Sequence, residues 1–244
     1  MTRTVPLLGL GFAAMDLDRV VDRLLDRPAD APFGYVVTPN ADHFVRLAAD
    51  PALAAIYQDA MLRLLDSRVV AGLARLAGLD APPVVPGSDL VAALLPHLAG
   101  ERITIIGLSP ALLPALVARY RLAPPAHHDP PADFDRDPAA FAAAVRFVRA
   151  NPARFTILAV GSPRQEHLAA AIAADPGMPG VGLCVGASLE FLAGARPRAP
   201  LWMRQVRLEW LHRLLSDPRR LARRYLLDSP GIIPLLLRER RRAG

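Results

Sequence analysis

Residues 155–166 have the sequence FTILAVGSPRQE, which predicts a buried strand that turns directly into a helix. The run from Phe155 to Val160 is short, mostly apolar and bounded by glycine, as is typical of a strand covered on both faces. Gly161 allows a tight turn, and Pro163 suits the first turn of a helix. This stretch therefore predicts one strand–turn–helix unit of an α/β fold.

The same alternation continues outward along the first 195 residues. Strands are predicted at 33–37, 61–65, 103–108 and 181–185, and helices at 88–98, 110–121 and 138–149. Alternating strands and helices predict a Rossmann-like α/β fold with a mostly parallel sheet covered by helices on both faces.

The pattern changes near residue 196, after which only helices are predicted, at 201–215, 218–227 and 232–240. All basic residues are arginine: residues 1–195 hold 16 Arg against 19 Asp and Glu, and residues 196–244 hold 13 against 4. We therefore divide the chain into an α/β body (1–195) and a basic helical C-terminal appendage (196–244). Such an appendage favours a polyanionic partner: anionic lipid, nucleic acid or a diphosphate.

The remaining composition limits the protein's location and its cysteine chemistry. No run approaches the roughly 18 apolar residues of a membrane-spanning helix, and the N-terminal apolar stretch is too short for a signal peptide. A cytoplasmic location is therefore expected. The single cysteine, Cys184, excludes an internal disulfide. Its apolar, glycine-flanked setting predicts a structural thiol.

Polar and glycine residues at the carboxyl ends of the strands are the candidate ligand contacts, since ligands of open parallel sheets bind there. These residues are Thr38, Asn40, Asp66, Gly107–Ser109, Gly161–Glu166 and Gly186–Ser188. Asp66 fits either a general base or diol binder, or the N-cap of a helix at 69–77. The segment Gly161–Glu166 fits either a sugar- or phosphate-binding loop or an ordinary strand-to-helix turn.

His127 and His128 lie in a Pro-rich segment, 124–138, that is expected to be a loop. Adjacent histidines point in different directions, so solvated loop residues are favoured over a metal site. No Walker or GxGxxG motif occurs, and neither a P-loop nor a standard dinucleotide fingerprint is therefore supported.

Six ordered segments together resemble the WecG/TagA/CpsF glycosyltransferases, over roughly residues 8 to 227. The segments are TPNADH (38–43), GSDL (87–90), GSPRQE (161–166), FLAGARPRAPLWM (191–203), LEWL (208–211) and PRRLARRY (218–225). The resemblance implies a Rossmann-like domain with a membrane-facing helical appendage. It implies an inverting transfer, without a metal or other cofactor, from UDP-N-acetylmannosamine, its uronic acid or UDP-glucose. The implied acceptor is a sugar on undecaprenyl diphosphate, at the inner face of the cell membrane.

The resemblance also implies roles for individual residues. The family's general base matches Asp66, and its donor pocket matches Thr38, Asn40 and Gln165. The appendage arginines that meet the diphosphate match Arg213, Arg220 and Arg223. The motifs add Ser88, Asp89, Gly161, Pro163 and Glu166 as candidate substrate contacts.

Two positions differ from the family pattern. Asp66-Ser67-Arg68 stands where the family usually has Asp-Gly, and Val84 stands where it often has arginine. We interpret Arg68 as a replacement for the missing cation, and therefore as a further substrate contact. The same changes leave open a catalytically weakened, membrane-bound scaffold of a polysaccharide assembly complex.

A nucleic-acid binder is disfavoured because the C-terminal arginines alternate with Leu, Trp and Met, as on a helix that lies on a membrane. The sequence is compatible with a homo-oligomer.

Overall fold

The computed structural model describes residues 3–195, 203 and 229–243, and it is built around a parallel sheet. The strands are β1 Thr4–Leu7, β2 Leu10–Ala13, β3 Gly34–Val37, β4 Leu62–Arg63, β5 Ile103–Ile106, β6 Ala126–His128, β7 Phe155–Leu158 and β8 Val181–Cys184. Strands β3 to β8 form a six-stranded sheet in the order β4-β3-β8-β7-β5-β6, with every neighbouring pair parallel. The predicted α/β fold with a mostly parallel sheet is confirmed.

Helices follow the strands along the chain. They are α1 Leu17–Leu25, α2 Ala41–Ala49, α3 Pro51–Asp59, α4 Arg68–Leu76, α5 Gly87–Leu94, α6 Leu113–Tyr120, α7 Pro138–Ala150, α8 Arg164–Ala173, α9 Ser188–Leu192 and α10 Ile232–Ala243. The helix predicted at 138–149 begins as expected, because the Asp137 side chain accepts a hydrogen bond from the Ala139 amide.

The central strands separate two apolar layers. In β7, Phe155 and Ile157 pack in one cluster and Leu158 in the other, and β5 divides Ile105 from Ile106 in the same way. Successive side chains of a strand point to opposite faces, so a strand covered on both faces is apolar at most positions. This burial explains why the run at 155–160 is mostly apolar, with Thr156 as a buried exception.

Two elements differ from the sequence expectations. The N-terminal β1–β2 hairpin was not predicted; its turn places Leu8 and Gly9 at positive φ, and a non-glycine residue there gives no turn signal. The expected loop at 124–138 is wrong at its start, because 126–128 pair in parallel with β5 as an edge strand. His127 Nε2 lies 3.0 Å from the Gly107 carbonyl oxygen, and the His128 ring stacks on Phe147.

The C-terminal helix packs onto the α/β body. The prediction at 232–240 is confirmed by α10, whose Ile232 and Leu236 are buried in the core cluster that also contains α2 and α4 residues. Glu239 Oε2 accepts a hydrogen bond of 2.5 Å from the Leu8 amide. Apart from Met203, which is helical, the helices predicted at 201–215 and 218–227 lie outside the described residues, and the boundary at 195/196 stays a prediction.

None of the helices that the structure describes combines the length and the apolar composition of a membrane-spanning segment.

Arg63 connects the hairpin to the sheet and to the end of α3. Its Nε donates to the Gly11 carbonyl oxygen at 2.7 Å, and its Nη1 lies within hydrogen-bonding distance of three carbonyl oxygens at the end of α3. The guanidinium therefore satisfies carbonyls that a helix end leaves without intrahelical partners. Although β4 has only two residues, this contact fixes its position.

Replacing Arg63 with alanine should lower the free energy of unfolding by about 2–3 kcal/mol, because hydrogen bonds from a charged donor are lost and the acceptors are left unpaired. Urea unfolding followed by circular dichroism measures the change. The matched control is Arg75→Ala on the exposed face of α4, for which we expect a change below about 0.5 kcal/mol. Equal losses in the two variants would contradict the connecting role of Arg63.

Candidate active site

The carboxyl ends of four adjacent strands, β4, β3, β8 and β7, meet at one edge of the sheet. The Leu64 amide donates to the Val37 carbonyl oxygen at 3.0 Å, and the Asp66 amide donates to that of Pro39 at 3.0 Å. The Thr38 hydroxyl donates to the Cys184 carbonyl oxygen at 3.3 Å. The parallel register therefore places Asp66, Thr38 and the loop after β8 side by side.

Asp66 lies in the two-residue gap between the Leu64–Leu65 extension of β4 and helix α4. The N-cap of α4 is Ser67, whose side chain accepts a hydrogen bond of 3.1 Å from the Val70 amide. The alternative of Asp66 as the helix cap is therefore wrong. Asp66 is half-buried at the ligand edge, where a base could meet a substrate.

Helix α5 begins directly against Thr38. A Cβ added to Gly87 would lie 2.9 Å from Thr38 Oγ1, a distance that side chains essentially never adopt. Glycine thus lets the first turn of α5 approach the strand end, with Ser88 buried and Asp89 half-buried. Free amides in a first helical turn favour anionic groups.

The segment before α5 runs beside Asp66. Val84 pairs with Leu65 in a parallel bridge, and the Val85 amide donates to the Leu65 carbonyl oxygen at 3.0 Å. Position 84 is therefore a neighbour of the candidate base. Arg68 is the first residue of α4 and is exposed.

Asn40 follows β3 and occupies the N-cap position of α2. Its side chain makes no capping hydrogen bond. Because the helix does not use the amide as a cap, Asn40 remains a candidate substrate contact at this edge.

The side-chain amide of Gln165, which follows the loop after β7, is held by hydrogen bonds at both of its ends. Gly161 has a φ of +79°, and α8 begins at Arg164, directly after Pro163. Gln165 Oε1 accepts a hydrogen bond of 2.8 Å from the Gly186 amide, and Gln165 Nε2 donates to Glu166 Oε1 at 2.9 Å. Gln165 therefore connects the loop after β7 to the loop after β8.

A buried polar network lies beneath these loops. Tyr57, at the end of α3, donates a hydrogen bond of 3.0 Å to Glu166 Oε1, and its hydroxyl lies 3.3 Å from His43 Nδ1. Burial and the charge of Glu166 raise the pKa of Tyr57 well above its ordinary value, so the hydroxyl keeps its proton at neutral pH. Sequence reasoning missed Tyr57 because a tyrosine on an apolar helix carries no sign of a site.

The structure brings most of the predicted site residues to this edge. They are Thr38, Asn40, Asp66, Ser88, Asp89, Gly161, Pro163 and Gln165, with Arg68 exposed alongside. Glu166 belongs to the same loop but has no exposed surface. Arg213, Arg220 and Arg223 lie outside the described residues. Within the described ranges, no three His, Cys, Asp or Glu side chains form a group that could hold a metal ion.

Hydroxyl, amide and carboxylate groups together with two helix N-termini can bind a sugar through its hydroxyls and a diphosphate through its charge. The half-buried carboxylate of Asp66 adds a proton acceptor. The edge therefore combines groups of the kinds that bind hydroxyl-rich and anionic ligands with a half-buried carboxylate.

A comparison with protein families identifies one that covers almost the whole chain. The sequence model described as the Glycosyl transferase WecG/TagA/CpsF family matches residues 5–244.

Cys184 is fully buried at the end of β8, and burial together with the charge of Glu166 raises the pKa of its thiol well above its ordinary value. Because the reactive species is the thiolate, Ellman's reagent at pH 8 should leave the native protein unlabelled. Unfolding in guanidinium should release one reactive thiol per chain. Rapid labelling of the native protein would contradict the structural role of this cysteine.

Proposed function

The chain belongs to the WecG/TagA/CpsF family of glycosyltransferases, and on this premise we propose that it transfers a sugar from a UDP donor to a lipid-linked saccharide. The proposed acceptor is a saccharide on undecaprenyl diphosphate, used in cell-surface polysaccharide synthesis. The donor sugar is N-acetylmannosamine, its uronic acid or glucose. The observation that carries the proposal is the meeting of Asp66, Thr38 and the start of α5 at one sheet edge.

The proposed reaction is a single inverting displacement with Asp66 as general base. The acceptor hydroxyl oxygen attacks the anomeric carbon while Asp66 takes its proton. The bond between that carbon and the UDP oxygen breaks, and UDP leaves with the electron pair. A base within reach of the attacking hydroxyl is what this chemistry requires.

The leaving diphosphate must be stabilised by positive charge. The first turns of α5 and α8 offer amides near the strand ends, and we propose that Arg213, Arg220 and Arg223 complete the site. Guanidinium groups suit this task because they bind phosphates in a bidentate manner. Thr38, Asn40 and Gln165, with Ser88 and Asp89, are the proposed contacts to the donor.

Arg68 is proposed to supply the cation that Val84 lacks. Val84 is paired to Leu65, one residue before the proposed base, and Arg68 is two residues after that base. A cation at either position would serve the same diphosphate.

A second candidate function is a scaffold with little transferase activity in a polysaccharide assembly complex. The altered positions 67, 68 and 84 favour it. Release of UDP in the presence of native membrane lipid distinguishes the two functions, because a weakened scaffold would release far less UDP than an active transferase.

The proposed location is the inner face of the cell membrane, held through the basic C-terminal segment. Arg238 and Arg240–Arg242 are exposed on α10, beside the exposed apolar Ile233 and Leu237. Each basic residue near an anionic surface contributes about 1 kcal/mol of attraction. Four such residues would therefore give firm, salt-sensitive binding.

Replacing Asp66 with asparagine should leave UDP affinity within about twofold and lower turnover by roughly 10²–10⁴, the loss expected when acid–base assistance is removed. Labelled lipid product from a panel of UDP-sugars with native membrane lipid measures turnover, and calorimetry measures affinity. Asp80→Asn, at an exposed carboxylate after α4, is the matched control. Near-normal transfer by folded Asp66→Asn would remove Asp66 from the mechanism.

Changing Arg238, Arg240, Arg241 and Arg242 to glutamine in the full-length protein should weaken binding to vesicles with anionic lipid at least about tenfold. Sedimentation at fixed salt measures the binding. The control replaces Arg119, Arg121, Arg136 and Arg146, which are exposed on the body, and so removes the same charge. Equal binding by both variants, or tighter binding to DNA than to vesicles, would contradict the membrane role.

A further inference from the structure

Beneath the candidate donor site lies a buried acid that the proposed transfer chemistry does not use. Glu166 has no exposed surface, and its Oε1 accepts hydrogen bonds from Tyr57 and from Gln165. We propose that Glu166 is a positioning residue: it fixes the orientation of the Gln165 amide and thereby holds together the loops after β7 and β8. The consequence for donor binding rests on the proposed function; the consequence for the loops does not.

The hydrogen-bonding capacity of each group decides which end of the Gln165 amide meets Glu166. A carboxylate only accepts hydrogen bonds, whereas an amide side chain carries one accepting and one donating end. Glu166 Oε1, 2.9 Å away, therefore requires the NH2 end of Gln165. The oxygen of Gln165 must then point the other way, where it accepts the Gly186 amide at 2.8 Å.

Tyr57 fixes the carboxylate in turn. Its hydroxyl proton goes to Glu166 Oε1 at 3.0 Å, so its oxygen is left to accept from neighbours. His43 Nδ1 lies 3.3 Å away and Ser162 Oγ 3.5 Å away. The network thus reaches the loop after β7 twice, through Ser162 and through Gln165.

The second oxygen of Glu166 indicates that this acid is not there for stability alone. Oε2 is buried and accepts no hydrogen bond from any residue that the structure describes. Burying an unpaired polar atom is unfavourable. A buried acid at this position is explained if a group that only accepts hydrogen bonds is needed to fix the orientation of the Gln165 amide.

The two loops held in this way frame the candidate donor site. Gly161 and Gly186 both adopt positive φ, at +79° and +54°, so their amides point where ordinary residues would not place them. Gln165 provides the side-chain connection between these loops. If the Gln165 amide were reversed, its NH2 group would face the Gly186 N–H. Two donors cannot hydrogen-bond to each other, so the two loops would lose this connection.

Glu166→Gln is the sharpest variant because it keeps the shape and removes the acceptor-only character. The new amide either buries an unpaired NH2 at the Oε2 position, which destabilises the contact with Gln165, or turns that NH2 toward Gln165, which then reverses. Both arrangements weaken the hydrogen bond from the Gly186 amide to Gln165 Oε1. We expect the Gly186 amide to exchange with solvent at least about tenfold faster relative to the amides of strand β8. Hydrogen exchange followed by NMR measures this without any substrate.

Tyr57→Phe and Tyr35→Phe form a matched pair. Each removes one buried hydroxyl, but the Tyr35 hydroxyl donates to the Ile56 carbonyl oxygen at 2.5 Å. Tyr57→Phe should accelerate Gly186 exchange in the wild-type background and add less than about twofold in the Glu166→Gln background, because the residue through which it acts is altered. Tyr35→Phe should lower the melting temperature without a selective change at Gly186.

Steady-state kinetics gives the second readout. Glu166→Gln should raise the KM for the UDP-sugar by roughly tenfold and change kcat by less than about threefold, as expected for a loss of donor positioning. If the Glu166→Gln variant changes amide exchange at Gly186 no more than it changes exchange in strand β8, the positioning role is overturned. Accelerated Gly186 exchange with unchanged donor KM and UDP affinity would overturn its link to the donor. If the wild-type protein binds no UDP, the proposed function fails while the exchange test still decides the loop role.

Discussion

The parallel hydrogen-bonded ladder β4-β3-β8-β7 is the constraint on which the candidate site depends. Parallel strands end together, so segments distant in sequence deliver their polar residues to one edge. Asp66 comes beside Thr38 because the ladder continues past β4, through the Leu64 and Asp66 amides. The apolar layers on both faces hold these strands in place, because alternate side chains of each strand pack in two separate clusters.

The sequence predicted those strands and helices whose apolar pattern and turn residues match their burial and position in the folded structure. The run at 155–158 is mostly apolar because it is buried on both faces, and the turn into helix α8 at 161–166 follows from glycine and proline. The hairpin was missed because Leu8 occupies a turn position without glycine. Strand β6 was missed because Ala126-His127-His128 shows no apolar pattern, and edge pairing with β5 alone makes it a strand.

The residues of the candidate site were likewise predictable only where a local sequence signal existed. Thr38, Asp66 and Gln165 could be named because position after a strand and family resemblance both pointed to them. Tyr57 could not, since it depends on α3 packing against α8 and on a partner 109 residues away. Local sequence also could not decide whether Asp66 caps α4; the structure shows that Ser67 is the cap. Buried polar networks of this kind are specified by tertiary contacts that no local pattern encodes.

We propose that a UDP-sugar binds at this strand-end edge, and a crystal structure of the full chain with UDP would locate the nucleotide. We expect the diphosphate at the first turns of α5 and α8, with Thr38 and Asn40 in contact and the Asp66 carboxylate facing the position of the sugar. UDP bound at another edge of the sheet, with these residues unengaged, would contradict it.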